Sequence, residues 1–353
     1  MPANTACKAI GSVSRTKSSN LKSGNFPTEG KMSDSNIGRR AFLQGASLAA
    51  LSAAGIVPVS AEEQYAAPNS TGTERAKLKA PANSCDCHHH IYDPRFPAMA
   101  PPEGGGKPEP NSTVADYRLL RRRTGTTRSV ILTPGPYLTD NSVTLDAISQ
   151  FAPNARGVAV VLPTVTDAEL RKMHEGGIRG IRFVNPTPGG FHTIDMIEPL
   201  SKRVNALGWH VDINLDADGI LANADLWPRL VSPVVFDHMA RFPVEQGTQH
   251  PAFAMLRKLM EKGRTWVKLS FGERDTKVGP PTYADVSKVA TAWVQAAPER
   301  MLWGTNWPHP GGPHKPDDAL VFDLLAQWAP SAATRRRILV ENPETLFGFA
   351  KSA

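Results

Sequence analysis

Cysteine is scarce in this chain, with three among 353 residues. Cys7 lies near the amino terminus, while Cys85 and Cys87 are two positions apart. On a single strand that spacing is too close for an unstrained disulfide, so no disulfide framework is expected. Cys85 and Cys87 are therefore predicted to be small packing residues.

A concentrated basic surface is also lacking, although the net charge is +7. Residues 1–61 carry seven Lys or Arg against Glu29 and Asp34, a net +5. The remainder has 33 basic and 31 acidic residues, a net +2, and is nearly neutral. Proteins that bind nucleic acid need a positive stripe to displace counterions from the phosphates. We therefore expect no nucleic-acid partner.

The apolar run between Arg40 and Pro58 is too short to span a membrane. It has about 15 residues rich in Ala and Gly, whereas a spanning helix needs about 20. Twin arginines, Arg39 and Arg40, precede it, and Val59-Ser60-Ala61 offers the small residues that signal peptidases accept. The pattern predicts a leader over 1–61 with a twin-arginine signal peptide, export to the periplasm and no stable membrane anchor. Met32 is a candidate for the true start.

The rest of the chain shows a repeating pattern that predicts its fold. After a linker predicted over 62–83, short runs of β-branched and apolar residues alternate with helix-like stretches. The eight predicted strands are 85–92, 129–133, 157–162, 178–184, 209–215, 233–238, 265–270 and 301–305. Apolar strands separated by amphipathic helices indicate a parallel sheet, and eight units indicate an α/β fold of the closed (β/α)8 (TIM) barrel type over residues 84–350. An open doubly wound sheet is the weaker interpretation, because no Gly-rich phosphate turn follows the first strand.

The stretch "SCDCHHHIYDP", residues 84–94, has an unusual density of groups that bind ligands. Side chains alternate between the two faces of a strand, so Asp86, His88 and His90 are expected on one face. His89 would then share the other face with the two cysteines. Two imidazoles near the carboxyl end of the first strand can converge on a metal or a substrate.

Further polar residues are predicted at other strand ends, and together the motifs resemble a known family. His238 ends the sixth strand and Asn306 follows the eighth. The chain resembles the amidohydrolase superfamily, and within it the branch of 2-pyrone-4,6-dicarboxylate lactonase, over about residues 83–350. The motifs that carry the resemblance are D-x-H-x-H at 86–90, "TDN" at 139–141, "GIRGIRF" at 177–183, "GWHV" at 208–211, "DHM" at 237–239, "VKLS" at 267–270 and "WGT-x-WPHP" at 303–310.

The resemblance implies a catalytic role for three histidines and exposes one departure. His88, His90 and His238 match the histidines that face the reacting carbonyl in that family. The family's strand-eight aspartate, which activates water, is replaced by Asn306, and an amide cannot accept the water's proton. Three accounts stay open: a metal on the three histidines (zinc, or else manganese) activates water; Asp86 or a histidine acts as base without metal; or the barrel binds a ligand without chemistry.

The resemblance also implies an anionic substrate. Arg182, Arg241 and Arg274 match arginines that bind the family's dicarboxylate lactone, because the guanidinium fork fits carboxylate oxygens. Lys107 and Asn214 stand where that family tends to have tyrosines, which suggests a lactone bearing a sulfonate, such as 4-sulfomuconolactone. Tyr137, after the second strand, could also reach the substrate.

We therefore expect an exported hydrolase that opens a small anionic lactone in the catabolism of aromatic compounds. One rival is a metal-dependent decarboxylase of the same superfamily, which would release carbon dioxide. The other rival is a periplasmic binding protein without catalysis, in which Asn306 marks a lost base.

Overall fold

The computed structural model describes residues 65–99, 107–270, 272–312 and 314–352. The predicted leader over residues 1–61, including Met32 and the twin arginines, lies outside the described residues. The last part of the predicted linker, 65–83, is described, and it packs against the barrel.

Eight parallel strands form the centre of the molecule, hydrogen-bonded in sequence order. They are β1 Cys85–His89, β2 Arg128–Leu132, β3 Ala155–Ala159, β4 Ile178–Val184, β5 His210–Asn214, β6 Val234–Phe236, β7 Thr265–Leu269 and β8 Met301–Trp303. The amide of Asn306 donates to the carbonyl oxygen of His88 at 2.7 Å, and the amide of His90 donates to that of Trp307 at 2.8 Å. These bonds join the two ends of the sheet. The predicted (β/α)8 barrel is confirmed.

Helices follow the strands and cover the outside of the barrel. They are α1 Val114–Thr124, α2 Ser142–Phe151, α3 Asp167–Glu175, α4 Ile197–Asn205, α5 Ala217–Ala222, α6 Pro251–Glu261, α7 Gly272–Asp275, α8 Ala284–Ala296, α9 Asp318–Asp323, α10 Leu325–Trp328, α11 Ala332–Arg336 and α12 Asn342–Phe347. Thr113 and Thr166 begin α1 and α3 with capping boxes, which satisfy amide groups that have no partner inside the helix. Within the described ranges, no helix combines the length and the apolar character needed to cross a bilayer.

Strand β1 departs from the expected alternation. The register with β2 shifts between Asp86 and His89, as it does at a β-bulge. Asp86 and His89 both contact Tyr117 of α1, the first by a hydrogen bond of 2.9 Å and the second by ring stacking at 3.6 Å. The expectation that Asp86 shares a face with His88 is therefore wrong, because the bulge reverses the sides of the strand after Cys87.

The interior of the barrel changes from apolar to charged along its axis. Toward the amino ends of the strands, Cys85 and Cys87 pack with Val130, Val158 and Leu302. The next positions along β5 and β7 are Asp212 and Lys268, both fully buried. Strand β8 approaches β1 closely here, since a Cβ on Gly304 would lie 2.7 Å from the Cβ of His88. A glycine is therefore needed at position 304 so that His88 can occupy its position on β1.

The described part of the predicted linker is held by buried polar contacts. The guanidinium of Arg123, at the end of α1, donates to the carbonyl oxygens of Thr71 and Glu74 at 2.7 and 2.9 Å. The indole of Trp307, just after β8, donates to the carbonyl oxygen of Pro68 at 2.7 Å. This segment therefore supports the loop that carries Asn306.

Candidate active site

A cavity of about 520 Å³ opens at the carboxyl ends of the strands. Active sites of (β/α)8 barrels lie at this end, where the loops after the strands meet. The side chains and backbone that line it are Tyr92, Lys107, Glu109, Gly135, Pro136, Arg182, Val184, Asn185, Asn214, His238, Arg241, Arg274, Asn306, Pro310 and Gly311.

Three histidine rings meet below this cavity. The ring centroid of His88 lies 5.1 Å from that of His90 and 4.8 Å from that of His238. In His90, Nδ1 lies 2.9 Å from the carbonyl oxygen of Leu132. A carbonyl only accepts, so Nδ1 carries the hydrogen and Nε2 keeps its lone pair. In His238, Nε2 lies 3.5 Å from an Arg182 nitrogen, which only donates, so Nε2 again holds the lone pair.

All three imidazoles are neutral near pH 7. Burial lowers the pKa of His90 to about 3 and holds the pKa values of His88 and His238 well below their ordinary value. The positive charges of Arg182 and Lys268 act in the same direction. Neutral imidazole is the form that binds a metal or accepts a proton.

A buried group of charges, which was not predicted from the sequence, supports the histidines. The ammonium of Lys268 bonds to a carboxylate oxygen of Asp212 and lies 3.1 Å from Oδ1 of Asp237. The other oxygen of Asp237 accepts from Nε of Arg182 at 2.8 Å. Nδ1 of His88 lies 3.4 Å from both Asp237 Oδ1 and Lys268 Nζ. Asp237 therefore orients both a histidine and an arginine.

These buried charges balance one another. Burial opposes ionisation of Asp237, but the charges of Lys268 and Arg182 overcome it and hold the pKa of Asp237 well below its ordinary value. Burial likewise opposes the charge on Lys268, and Asp212 and Asp237 overcome it and raise its pKa. A charged residue inside an otherwise apolar strand, as in "TWVKLS" and "WHVDINL", was the signal that could have identified Lys268 and Asp212.

The turn after β6 presents His238 and Arg241 to the cavity. Four consecutive residues from His238 to Arg241 have positive φ, between 43° and 63°. This left-handed turn contains no glycine, and such a conformation costs about 1–2 kcal/mol per residue. It is held by its surroundings, including a hydrogen bond of 3.2 Å from the indole of Trp293 to the carbonyl oxygen of Met239. Strain of this kind is concentrated at functional sites.

The other arginines and Lys107 reach the same cavity from different loops. Arg182 lies on β4, and Arg274 lies on α7, where it donates to the carbonyl oxygen of Pro310 at 3.3 Å. Arg241 lies 3.8 Å from the carboxylate of Asp275. Lys107, on the segment between β1 and α1, also lines the cavity. The four cations form an electropositive wall.

The remaining predicted residues divide into two groups. Asn214 and Asn306 line the cavity, and the buried Nδ2 of Asn306 has no hydrogen-bond partner among the described residues. Asp86 does not line it, because Thr305 and Tyr117 occupy its carboxylate. Burial raises the pKa of Asp86 to about 6, but its contacts tie β8 to β1 rather than face a substrate. Tyr137 is also outside the cavity wall, with its hydroxyl donating to the carbonyl oxygen of Asp93.

Tyr92 and Glu109 line the cavity, although no role was predicted for them from the sequence. Tyr92 is almost fully buried, so its phenol belongs to the site rather than to the surface. Glu109 accepts from the amide of Gly311 and from the ammonium of Lys315, both at 3.0 Å. It thereby fastens the segment before α1 to the loop after β8.

His309 fixes the loop after β8 from outside the cavity. Its two ring nitrogens lie 3.0 Å from a Glu273 oxygen and 3.2 Å from an Asp318 oxygen. Burial lowers the pKa of an imidazole, but here the two carboxylates outweigh burial and raise the pKa of His309 to about 9. His309 is therefore an imidazolium that joins α7 and α9.

The donor groups fit a divalent metal. The potential ligand atoms of His88, Asp237 and His238 lie within 4.8 Å of one another, so this group contains Asp237 in place of the predicted His90. Nε2 of His88 is buried without a hydrogen-bond partner among the described residues, as expected of an atom awaiting a ligand. In metal sites the outer nitrogen of each histidine is held by a carboxylate, carbonyl or hydroxyl. Asp237, the Leu132 carbonyl and the Ser270 hydroxyl, 3.0 Å from His238, stand at those positions.

Comparison with known proteins agrees with this architecture. Residues 85–349 match the family model described as amidohydrolase. The chain belongs to the amidohydrolase family. It is 34% identical to 2-pyrone-4,6-dicarboxylate hydrolase of Comamonas testosteroni over 77% of this chain and 92% of that protein. It is 33% identical to 4-sulfomuconolactone hydrolase of Rhizobium radiobacter over 84% and 97%. A solved structure from Agrobacterium tumefaciens superposes with a TM-score of 0.72 at 32% identity, covering 78% of this chain and all of that one.

Proposed function

We propose that this amidohydrolase opens a small anionic lactone by attack of water on the ester carbonyl. The observation that carries the proposal is the cavity itself, where neutral imidazoles lie beneath a wall of cations in a barrel related to lactone hydrolases. Neutral imidazoles have a free lone pair for reaction at a carbonyl, and fixed guanidinium groups form charged hydrogen bonds with the acid groups of such a substrate.

Each part of the cavity has a role in this reaction. Arg241 and Arg274 hold the acid groups of the substrate and so orient the ring. His238 presents the lone pair of Nε2 to the cavity, since its Nδ1 faces the Ser270 hydroxyl at 3.0 Å. Asn306 donates from Nδ2 toward the carbonyl oxygen, where negative charge develops during attack. Because an amide cannot act as a base, Asn306 is an orienting group rather than the one that activates water.

We propose zinc as the metal, with manganese as the second candidate. His88, His90 and His238 would hold it, because three imidazoles with an open fourth position are typical of catalytic zinc sites. A divalent ion supplies Lewis acidity and lowers the pKa of water toward neutrality, which Asn306 cannot do. Asp237 fixes the orientation of His88 and so contributes indirectly.

For the substrate we propose a lactone that carries a sulfonate, of the 4-sulfomuconolactone type, with 2-pyrone-4,6-dicarboxylate as the second candidate. Lys107 adds a point charge beside the arginines, and Asn214 adds an amide that can donate to a sulfonyl oxygen. Both candidates are substrates by which relatives that match most of this chain are named.

The test is a lactone panel with purified protein whose metal content has been measured. Hydrolysis is followed by the loss of ring absorbance and by acid release, and Asn306→Ala serves as an impaired variant. Carbon dioxide release would instead identify a decarboxylase. Tight binding of the lactones without turnover would identify a binding protein, and either result would overturn the proposal.

We also propose that the protein is exported to the periplasm by the twin-arginine route. Arg39 and Arg40 precede the apolar run of the leader, and folded export would allow a metal to be inserted first. Replacing both arginines with lysine should retain the protein in the cytoplasm, whereas Arg15→Lys with Lys17→Arg should not. Equal periplasmic amounts of all three forms would contradict this route.

A further inference from the structure

A second, smaller cavity of about 240 Å³ adjoins the candidate active site. We call it the apolar annex. The two spaces meet at Gly135 and Val184, which line both. The annex lies between the loops that follow β2, β3 and β4, and its lining is Thr133, Gly135, Leu138, Val160, Val184, Phe191 and His192.

The chemistry of the annex differs from that of the main cavity. Its walls are mostly aliphatic or aromatic, and its polar side chains face the protein. The hydroxyl of Thr133 donates to the Asn141 side chain at 2.7 Å. Nδ1 of His192 accepts from the amide of Val184 at 3.3 Å, and its buried Nε2 has no hydrogen-bond partner among the described residues. The annex therefore offers a polar ligand group at most this one partner, whereas an apolar group loses nothing on entering.

Two independent observations indicate that the annex receives a ligand. Phe191, which lines the annex, is 41% exposed, and Met99, 56% exposed, lies on a segment whose backbone bonds to Pro136 beside Gly135. Exposed apolar groups around a cavity commonly mark a binding site. Leu138, in the wall, is held at φ 47° and ψ −118°, a strained conformation for a leucine.

The position of the annex fixes which end of a substrate it would take. In the closed order of eight strands, β2 and β3 lie across the barrel from β6 and β7. Arg241 and Arg274 follow β6 and β7, so the anion-binding side and the apolar side face each other across the cavity. A ligand that fills both spaces must be acidic at one end and apolar at the other.

Resting on the proposed function, we propose that the lactone substrate carries an apolar substituent, alkyl or phenyl in size, which the annex binds opposite the arginines. This substituent is additional to the acid groups and sets the preference among anionic lactones. Among lactones of the proposed class, those with acid groups alone leave the annex unfilled, and those that also carry this substituent are preferred.

The test is a series of muconolactone-type lactones with hydrogen, methyl, ethyl or propyl at the ring carbon opposite the acid group. In the wild-type protein, kcat/KM is expected to rise about fourfold with each methylene until the annex is full. Val160→Phe fills the annex and should abolish this rise while the parent lactone is still opened. Phe191→Ala removes one exposed wall of the annex. It should reduce the ratio of kcat/KM between the propyl-substituted and the unsubstituted lactone by about tenfold. Val231→Ala, an exposed position outside both cavities, is the matched control and should keep the full rise.

The outcomes separate the annex from the reaction. A flat or falling kcat/KM along the series in the wild-type protein would overturn the inference, even if the parent lactone is opened. Failure to open any lactone would count against the proposed function alone. In that case, calorimetry with the corresponding ring-opened diacids tests whether the annex binds an apolar group. The propyl-substituted diacid should bind more tightly than the unsubstituted diacid in the wild-type protein, and the two should bind equally in Val160→Phe.

Discussion

Replacement of Lys268 by Met tests the buried charges beneath the active site. Lys268, Asp212 and Asp237 have fully buried side chains, and Arg182 is 7% exposed. Two carboxylates and two cations give this group no net charge. Removing the ammonium leaves a net negative charge in this group, away from water; Asp237 keeps Arg182, and among the described residues Asp212 keeps only the His210 ring at 3.2 Å. Breaking a buried pair in this way costs about 3–5 kcal/mol, a large part of the roughly 5–15 kcal/mol that stabilises a folded domain.

A double variant separates the charge from the side-chain volume. Lys268→Met combined with Asp212→Asn restores neutrality, so we expect a loss of only about 1–2 kcal/mol, from the hydrogen bonds removed. Lys202→Met is the control, because the 60% exposed Lys202 pairs with Glu198 at the surface and should change stability by less than about 0.5 kcal/mol.

The assay is urea unfolding followed by tryptophan fluorescence, since the chain has seven tryptophans. The single variant should unfold at a clearly lower urea concentration than the double variant. Two results would refute the reasoning. One is a loss below about 1 kcal/mol for the single variant. The other is a double variant no more stable than the single one.

Three further outcomes follow from the site. Arg241→Gln should raise KM for a doubly charged lactone about 10–100-fold, since a charged hydrogen bond is lost. The control Arg257→Gln, at an exposed position, should leave KM unchanged. Equal KM values for the two variants would contradict an anion site. His309, with its pKa raised to about 9, stabilises the fold fully below about pH 6.5 and loses this contribution as the pH rises through 9. His309→Asn should therefore be less stable than the wild type at pH 6 but nearly equal to it above pH 9, and parallel stability curves across this range would disprove the pairing. Asn306→Asp should slow turnover and change the metal content measured by elemental analysis, because it adds a buried charge beside the imidazoles; faster turnover without metal would show that a carboxylate base suffices.

The fold followed from sequence patterns because each element carries its own periodic signal. A helix-like stretch was predicted between the strands 157–162 and 178–184, and α3 spans Asp167–Glu175 there. Thr166 and Glu169 form a capping box that marks its start. The faces of β1 could not be predicted, because a bulge depends on pairing with β2, and the letters around Asp86 do not reveal it. The convergence of Asp237 and Lys268 was missed for a similar reason. Burying either charge alone would cost free energy, and only the closed barrel brings the two charges within 3.1 Å of each other.

The left-handed turn from His238 to Arg241 lowers the stability of the fold, but it also fixes the positions of two side chains in the cavity. Glycine at Met239 would remove the steric penalty of its positive φ of 56°. The same change would loosen the fixed spacing between an imidazole and a guanidinium, because nothing would then force the chain to keep that shape. Selection for a sturdier protein would favour glycine at this corner, and selection for a working cavity would oppose it.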